Sequence, residues 1–368
     1  MGTTAVLIGV AVLVVAPALS SEDAAVAPSR PPMVDDRPPE ADSRPPVAGS
    51  RHLLIDPAAL DALPTRGPAW RALLDTASGD LGDPDLEDQD NTNAGQTLAA
   101  ALVYARTREE PFRERVVEQL EQLPELSLDD ARVLSIARQL GGYAISADLV
   151  GYREPEFVEF MADVRTRDIG NHGRWTTLVQ TSEDTANNWG TWALASRIAL
   201  SLYVDDRADV ERAADVFRGF LGDREAYAGF QPTDAFEEGW VCGDPETWVP
   251  INPAGCGERS GAAVEDISRT RGPYPEVDGQ GLQYSWEVLA GITMTAVLLE
   301  EAGYDDVYDW SDGAILRAAE FVERHDGFPS KYASTQYVAW SLNRAYDTDL
   351  PAKPAGYGRQ FGYTDWLP

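Results

Sequence analysis

Lysine is almost missing from this 368-residue chain: Lys331 and Lys353 are the only ones, so nearly all the positive charge is arginine. Positive charge of any kind is outnumbered, with 30 basic residues against 61 acidic ones and a formal net charge of −31. That balance excludes nucleic acid and anionic membrane as partners, since both carry dense negative charge of their own. An anionic ligand must be met locally, by an arginine that stays charged and grips a carboxylate with two hydrogen bonds. An acidic, lysine-poor surface also suits a salty medium, where screening relaxes self-repulsion. Histidine is scarce, at His52, His172 and His325, and cysteine is confined to Cys242 and Cys256. There is no Gly-rich nucleotide loop, no serine-centred elbow and no histidine-rich metal motif, so no cofactor and no metal are expected. The acidic run at 79–90, GDLGDPDLEDQD, lacks the ligand spacing of a calcium-binding hand and reads as a solvated loop.

Also absent is any stretch that alternates apolar and polar residues like a half-buried strand. Helical periodicity takes its place. In 131–149, ARVLSIARQLGGYAISADL, residues Val133, Ile136, Leu140, Tyr143 and Ala147 recur at steps of three and four and mark one buried face. In 284–303 Leu289, Ile292, Ala296 and Leu299 do the same, and Gly303 stops the helix. Similar patterns occupy 57–77, 94–108, 111–122, 154–165, 208–221, 311–325 and 333–346. The predicted class is all-α, made of helical hairpins packed as a bundle, a solenoid or an α/α toroid. No strict repeat period appears, which disfavours a regular solenoid.

The start of the chain has a different character. An apolar run from Thr4 to Leu19 is followed by small residues, and Ala16-Pro17-Ala18 offers a cleavage site, so 1–20 are predicted to be a secretion signal. A basic stretch ahead of the run is lacking, and retention as an anchor is the alternative, although the run is short for a membrane span. Residues 21–51 repeat an Arg-Pro-Pro unit without apolar clusters and read as a Pro-rich linker. The folded domain is then 52–368, placed outside the cell or on its surface.

One region interrupts the helical rhythm. Residues 227–281 are rich in glycine, proline and aromatics, and so long a loop signals function or disorder; its aromatics favour order. It holds both cysteines, and in an exported protein an isolated pair at this spacing predicts a disulfide between Cys242 and Cys256. The alternatives are a metal site, which lacks a nearby histidine, and a thiol nucleophile, which export would oxidise.

At 181–203 a polar run, TSEDTANN, turns into the apolar helix WGTWALASRIALSLY. If Asp184 or Thr185 caps it, Asn187 and Asn188 fall in the first turn, where free N–H groups and the helix dipole favour an anion. Neutral amides add donors there without a competing charge, which suits a carboxylate. The simpler reading is that they only cap the helix.

The motif DTANNWGTWALASRIA, with LDALPTRGPAWRALLDTA and QLGGYAISADLVGYR before it and LQYSWEVLAGITMTAVLLEEAG and TQYVAWSLNRAY after it, resembles the alginate-lyase family of polysaccharide lyases. The resemblance spans about Leu53 to the end of the chain. It implies an incomplete α/α toroid that cleaves an anionic, uronic-acid-containing polysaccharide by β-elimination. In that family an Asn, usually followed by His, lies in the central helix, and an Arg and a Tyr come later. Here Asn188 matches the amide, Trp189 stands where His is expected, Tyr284 matches the tyrosine, and Arg271 or Arg269 matches the arginine.

The chemistry accounts for these residue types. Taking the proton from C5 of a uronate puts charge beside a carboxylate, so hydrogen bonds must neutralise that group and stabilise the enolate-like intermediate. Asn187, Asn188 and an arginine can do so, while Tyr284 serves as acid and as base in a syn elimination. His172, in the Gly-flanked loop DIGNHGRW, is the other base candidate, or else it anchors that loop. Arg174 can hold a second uronate or pair with a nearby acid. Trp189, Trp192, Trp240 and Trp248 can stack on sugars or fill the core, with Trp240 and Trp248 the better platforms because of their loop positions. A rival mechanism, glycoside hydrolysis, needs two opposed carboxylates, for which Glu237, Glu238, Asp184 and Glu287 are available. A third reading is a surface protein that binds glycans without turnover.

Overall fold

The structure is a computed structural model of the chain and describes residues 52–169 and 175–368. The expected signal and linker, and the candidates His172 and Arg174, lie outside the described residues. Two helices stand where one was expected over 57–77: α1 (Pro57–Ala62), capped by Asp56, and α2 (Pro68–Ser78). Pro64 and the positive φ of Gly67 break the run between them. The first hairpin is α3 (Asn93–Thr107) and α4 (Glu110–Gln122), turning at Arg108 in left-handed backbone geometry. The helix expected over 131–149 is also two, α5 (Val133–Ala137) and α6 (Leu140–Leu149). Gln139 sits at that break and donates its side-chain amide to the carbonyls of Asp85 and Asp88, both at 2.9 Å.

Next come α7 (Pro155–Asp163), α8 (Leu178–Asp184), α9 (Asn188–Tyr203) and α10 (Arg207–Leu221). After the long loop follow α11 (Val264–Ile267), α12 (Gly279–Glu301), α13 (Trp310–His325) and α14 (Val338–Tyr346). Among the described residues there is no strand, only isolated bridges joining Thr185 to Gln231 and Ile251 to Ala263. The all-α expectation therefore holds.

Composition sorts the helices into two layers. Buried residues run almost without interruption through α3, α6, α9 and α12, and these helices pack in series, α3 on α6, α6 on α9, α9 on α12. The outer α4, α7, α10 and α13 are amphipathic; α10, for instance, buries Val210, Ala213, Phe217 and Phe220 while Arg207, Arg212 and Asp215 face out and Asp209 turns inward to Arg197. Burying each large apolar side chain of this kind contributes about 2 kcal/mol. The inner helices share one direction. Tyr143 near the start of α6 donates to Asn93 at the start of α3 at 2.7 Å, and Tyr203 at the end of α9 donates to the carbonyl of Tyr152 just past α6. Trp192 in α9 meets Glu287 in α12, and further along Leu202 and Ala302 line one cavity. Small residues allow the close approach: a Cβ on Gly291 would lie 2.4 Å from Thr191 Oγ1. By length and composition α12 is able to cross a membrane, but 89% of its most apolar window is buried inside the fold, the mark of a core helix.

The loop at 227–281 is ordered by its own polar groups. Cys242 and Cys256 form the expected disulfide. Beside it, the buried Asn252 accepts the N–H of Cys242 at 3.1 Å and donates to the carbonyls of Trp240 and Arg259. The C-terminal segment also packs inward, with Gln360 accepting the Ser196 hydroxyl at 2.8 Å and Tyr363 donating to the Gly95 carbonyl.

Candidate functional site

The polar stretch ahead of α9 divides differently from expectation. Residues 178–184 form α8, and the cap of α9 is Asn187 itself, whose Oδ1 accepts the Trp189 N–H at 2.9 Å. Neither Asp184 nor Thr185 caps α9. The reason lies on α11, where Glu265 accepts the Asn187 amide at 3.1 Å and holds it in the capping pose. Both oxygens of Glu265 are occupied, because Thr233 donates its N–H at 2.6 Å and its hydroxyl at 2.8 Å. Asn187 is thus tied to structure, as the simpler reading supposed.

Asn188 has a different environment. Its backbone N–H donates to Asp266 Oδ1 at 3.3 Å, while its side-chain Oδ1 is buried without a partner. Asp266 is fully buried and its Oδ2 also lacks a partner. Burial pushes the Asp266 carboxyl well above the usual aspartate range; Arg269 opposes this and Glu265 adds repulsion.

Of the two arginines considered, the structure brings Arg269 to the tyrosine. Its guanidinium lies 4.5 Å from the ring centroid of Tyr284, its Nε has no hydrogen-bond partner, and among the described residues no carboxylate pairs with it. Arg271 points away: its side chain is 81% exposed and pairs with Asp278, the cap of α12, at 3.3 Å. Tyr284 is half-buried in the second turn of α12, not at its first residue.

One turn along, Glu287 accepts Arg138 Nη2 at 3.4 Å, Trp192 Nε1 at 3.1 Å and the Ser334 hydroxyl at 3.3 Å. Arg138, at the break between α5 and α6, is 7% exposed. Burial lowers its pKa, while Glu287, and further off Asp90 and Tyr284, favour its charge. Asp90 bridges it to Arg359, at 3.8 Å and 2.7 Å. Tyr284 and Asp90 thus link Arg138 to Arg269 and to Arg359 within a strongly acidic chain.

The tryptophans are corrected by burial. Trp240 is 2% exposed between Tyr274 and Phe321, and Trp248 is 8% exposed against Phe236. Their rings are committed to the core of the loop, so neither offers a face to a sugar. Trp189 is half-buried, its ring 6.3 Å from that of Trp175. His52 pins the start of the domain, its Nδ1 3.0 Å from Asp148. His325 ends α13 against Phe321, and burial, then Arg324, lowers its pKa and favours the neutral ring over a cationic cap. Glu237 accepts the Tyr274 N–H at 3.0 Å.

Sequence reasoning missed Asp266, Arg138 and Arg359. The signals were present, as charged residues inside apolar context at AAVEDIS and LSIARQL. No protein-family model matches the chain, and no curated protein matches it.

Proposed function

We propose that this protein is an exported lyase that cleaves a uronic-acid-containing polysaccharide by β-elimination, on an incomplete α/α toroid. The observation that carries the reading is the Arg269 guanidinium stacked 4.5 Å over Tyr284, beside the Asn188–Asp266 contact. Arg269 and the Asn188 amide bind the uronate carboxylate and take up the charge that develops when the C5 proton leaves. Tyr284, held against the Arg269 guanidinium, removes that proton and returns one to the departing glycosidic oxygen. The toroid is supported by inner helices that share one direction and by an amphipathic outer layer. Export is supported by the Cys242–Cys256 disulfide.

Lyase chemistry is favoured over hydrolysis by how the carboxylates are engaged. Glu287 has both oxygens tied to neighbours and Glu237 accepts a backbone N–H. The test is ultraviolet absorbance of the unsaturated uronyl product while the protein meets a panel of acidic polysaccharides, with Tyr284→Phe and Asn188→Ala alongside. A rise lost in both variants is expected. New reducing ends without that absorbance would move the reading to hydrolysis, and binding without turnover to a glycan receptor.

A further inference from the structure

Asp266 and Asn188 each hold one buried acceptor that has no donor. The Asn188 N–H reaches Asp266 Oδ1, which joins the two residues at 3.3 Å. The second carboxyl oxygen of Asp266 and the amide oxygen of Asn188 are both enclosed, and neither has a donor. Buried acceptors are rarely left so in native proteins. A proton on Asp266 Oδ2 turns that oxygen into a donor, and Asn188, whose N–H already reaches the same carboxyl, carries the unfilled acceptor. We propose that Asp266 stands as a neutral carboxylic acid whose O–H donates to Asn188 Oδ1, fixing the amide so that its Nδ2 is presented to the substrate carboxylate.

The contact with a substrate carboxylate rests on the lyase reading; the proton and the pinned amide do not. Asp266 is then a positioning residue. The groups that face it are Arg269 beyond the end of α11, Glu265 beside it, Glu287 from α12 and the Asn188 amide from α9. Burial acts first on Asp266, and with two carboxylates nearby it outweighs Arg269 and favours the protonated form. Asn187, by contrast, has its oxygen filled by the Trp189 N–H and needs no proton.

Two measurements test this without any substrate. The infrared difference between wild type and Asp266→Asn near neutral pH is expected to contain the C=O stretch of a protonated carboxylic acid. Denaturant unfolding is expected to show wild type losing stability as pH rises above the aspartate range near 3.8, through the raised folded value, while Asp266→Asn does not. No such band, together with parallel stability curves, overturns the proposal. The band without turnover on any uronate polymer would sink the lyase reading and leave the pinned amide standing. Where turnover is found, Asp266→Ala is expected to lower kcat by roughly 100-fold with less change in KM. Asp266→Asn, whose amide donates at every pH, is expected to restore most of that and to remove the alkaline fall. Equal losses in the two variants would mean that a carboxylate is needed, and would overturn the pin.

Discussion

At the scale of single residues, two arginines that look alike in sequence part company in space. Arg269 and Arg271 flank Thr270, yet only Arg269 lies on Tyr284, while Arg271 is spent on an exposed pair with Asp278. Under the proposed mechanism, Arg269→Ala is expected to lower kcat/KM by roughly 100-fold or more. Arg269→Lys should recover little of it, because a compact ammonium cannot stack as the planar guanidinium does. Arg271→Ala is expected to change turnover less than twofold, an exposed pair being worth little. Steady-state kinetics on the best polymer checks all three, and a larger loss at Arg271 would reverse the assignment. Trp240 calls for the opposite readout. Its ring is buried between Tyr274 and Phe321, so Trp240→Ala is expected to cost about 3–5 kcal/mol in denaturant unfolding. A stable variant with a raised KM would restore the sugar-platform role. Sequence had marked Asn188 by its place at a helix start and Tyr284 by the resemblance, but it gave no means of choosing between the arginines or of seeing Trp240 buried. Both depend on how the loop folds back, which no local spacing records.

At the scale of elements, periodicity located the helices because burial on one face imposes it, and most of the expected segments are helices in the structure. What periodicity does not report is a break that keeps the apolar phase. Helix α6 follows α5 with its apolar positions still in step, so 131–149 reads as continuous although Gln139 has left helical geometry to reach Asp85 and Asp88. Likewise the cap of α9 was misplaced because Glu265, far along the chain, selects Asn187 for it. The disulfide was legible from an isolated cysteine pair, its spacing and the expected export, and its consequence belongs at this scale. Cys242 and Cys256 are 14 residues apart, and closing a loop of that length restricts the unfolded chain by roughly 3 kcal/mol in the chain-entropy picture. Within that loop Asn252 ties three backbone groups together. Replacing both cysteines with serine is therefore expected to lower global stability by about 2–3 kcal/mol. Amide exchange should quicken first in 241–261 and leave α9 and α12 protected. Equal loosening of the inner helices would show that the bridge holds more than its own loop.

For the molecule as a whole, charge decides how stability responds to salt and pH. With 61 acidic residues against 30 basic ones, the surface repels itself at neutral pH, and added salt is expected to raise the melting temperature by screening that repulsion. The gain should fade near the isoelectric point of about 4.3, where the repulsion vanishes. Buried groups follow different rules. Arg197 is clamped by Glu183 at 3.0 Å and by Asp209 at 2.5 Å. Burial raises both carboxyls, but the hydrogen bonds and charges of Arg197 and its neighbours Arg212 and Arg165 outweigh it, so both folded pKa values lie below the ordinary ones. Depressed carboxyls stabilise fully above their unfolded values of 4.5 and 3.8, and that stability is lost as pH falls through the folded values. Asp266, raised instead, takes stability away as pH climbs. Opposed slopes predict a maximum in the mildly acidic range, with an acid limb that salt moves little because the Arg197 side chain is 2% exposed and those of Glu183 and Asp209 are mostly covered. Replacing Asp209 with asparagine is expected to flatten the acid limb and leave the alkaline one unchanged. Melting curves across pH at low and high salt separate the two contributions, and an acid limb that shifts with salt would mean that surface charge, not the Arg197 clamp, governs unfolding at low pH.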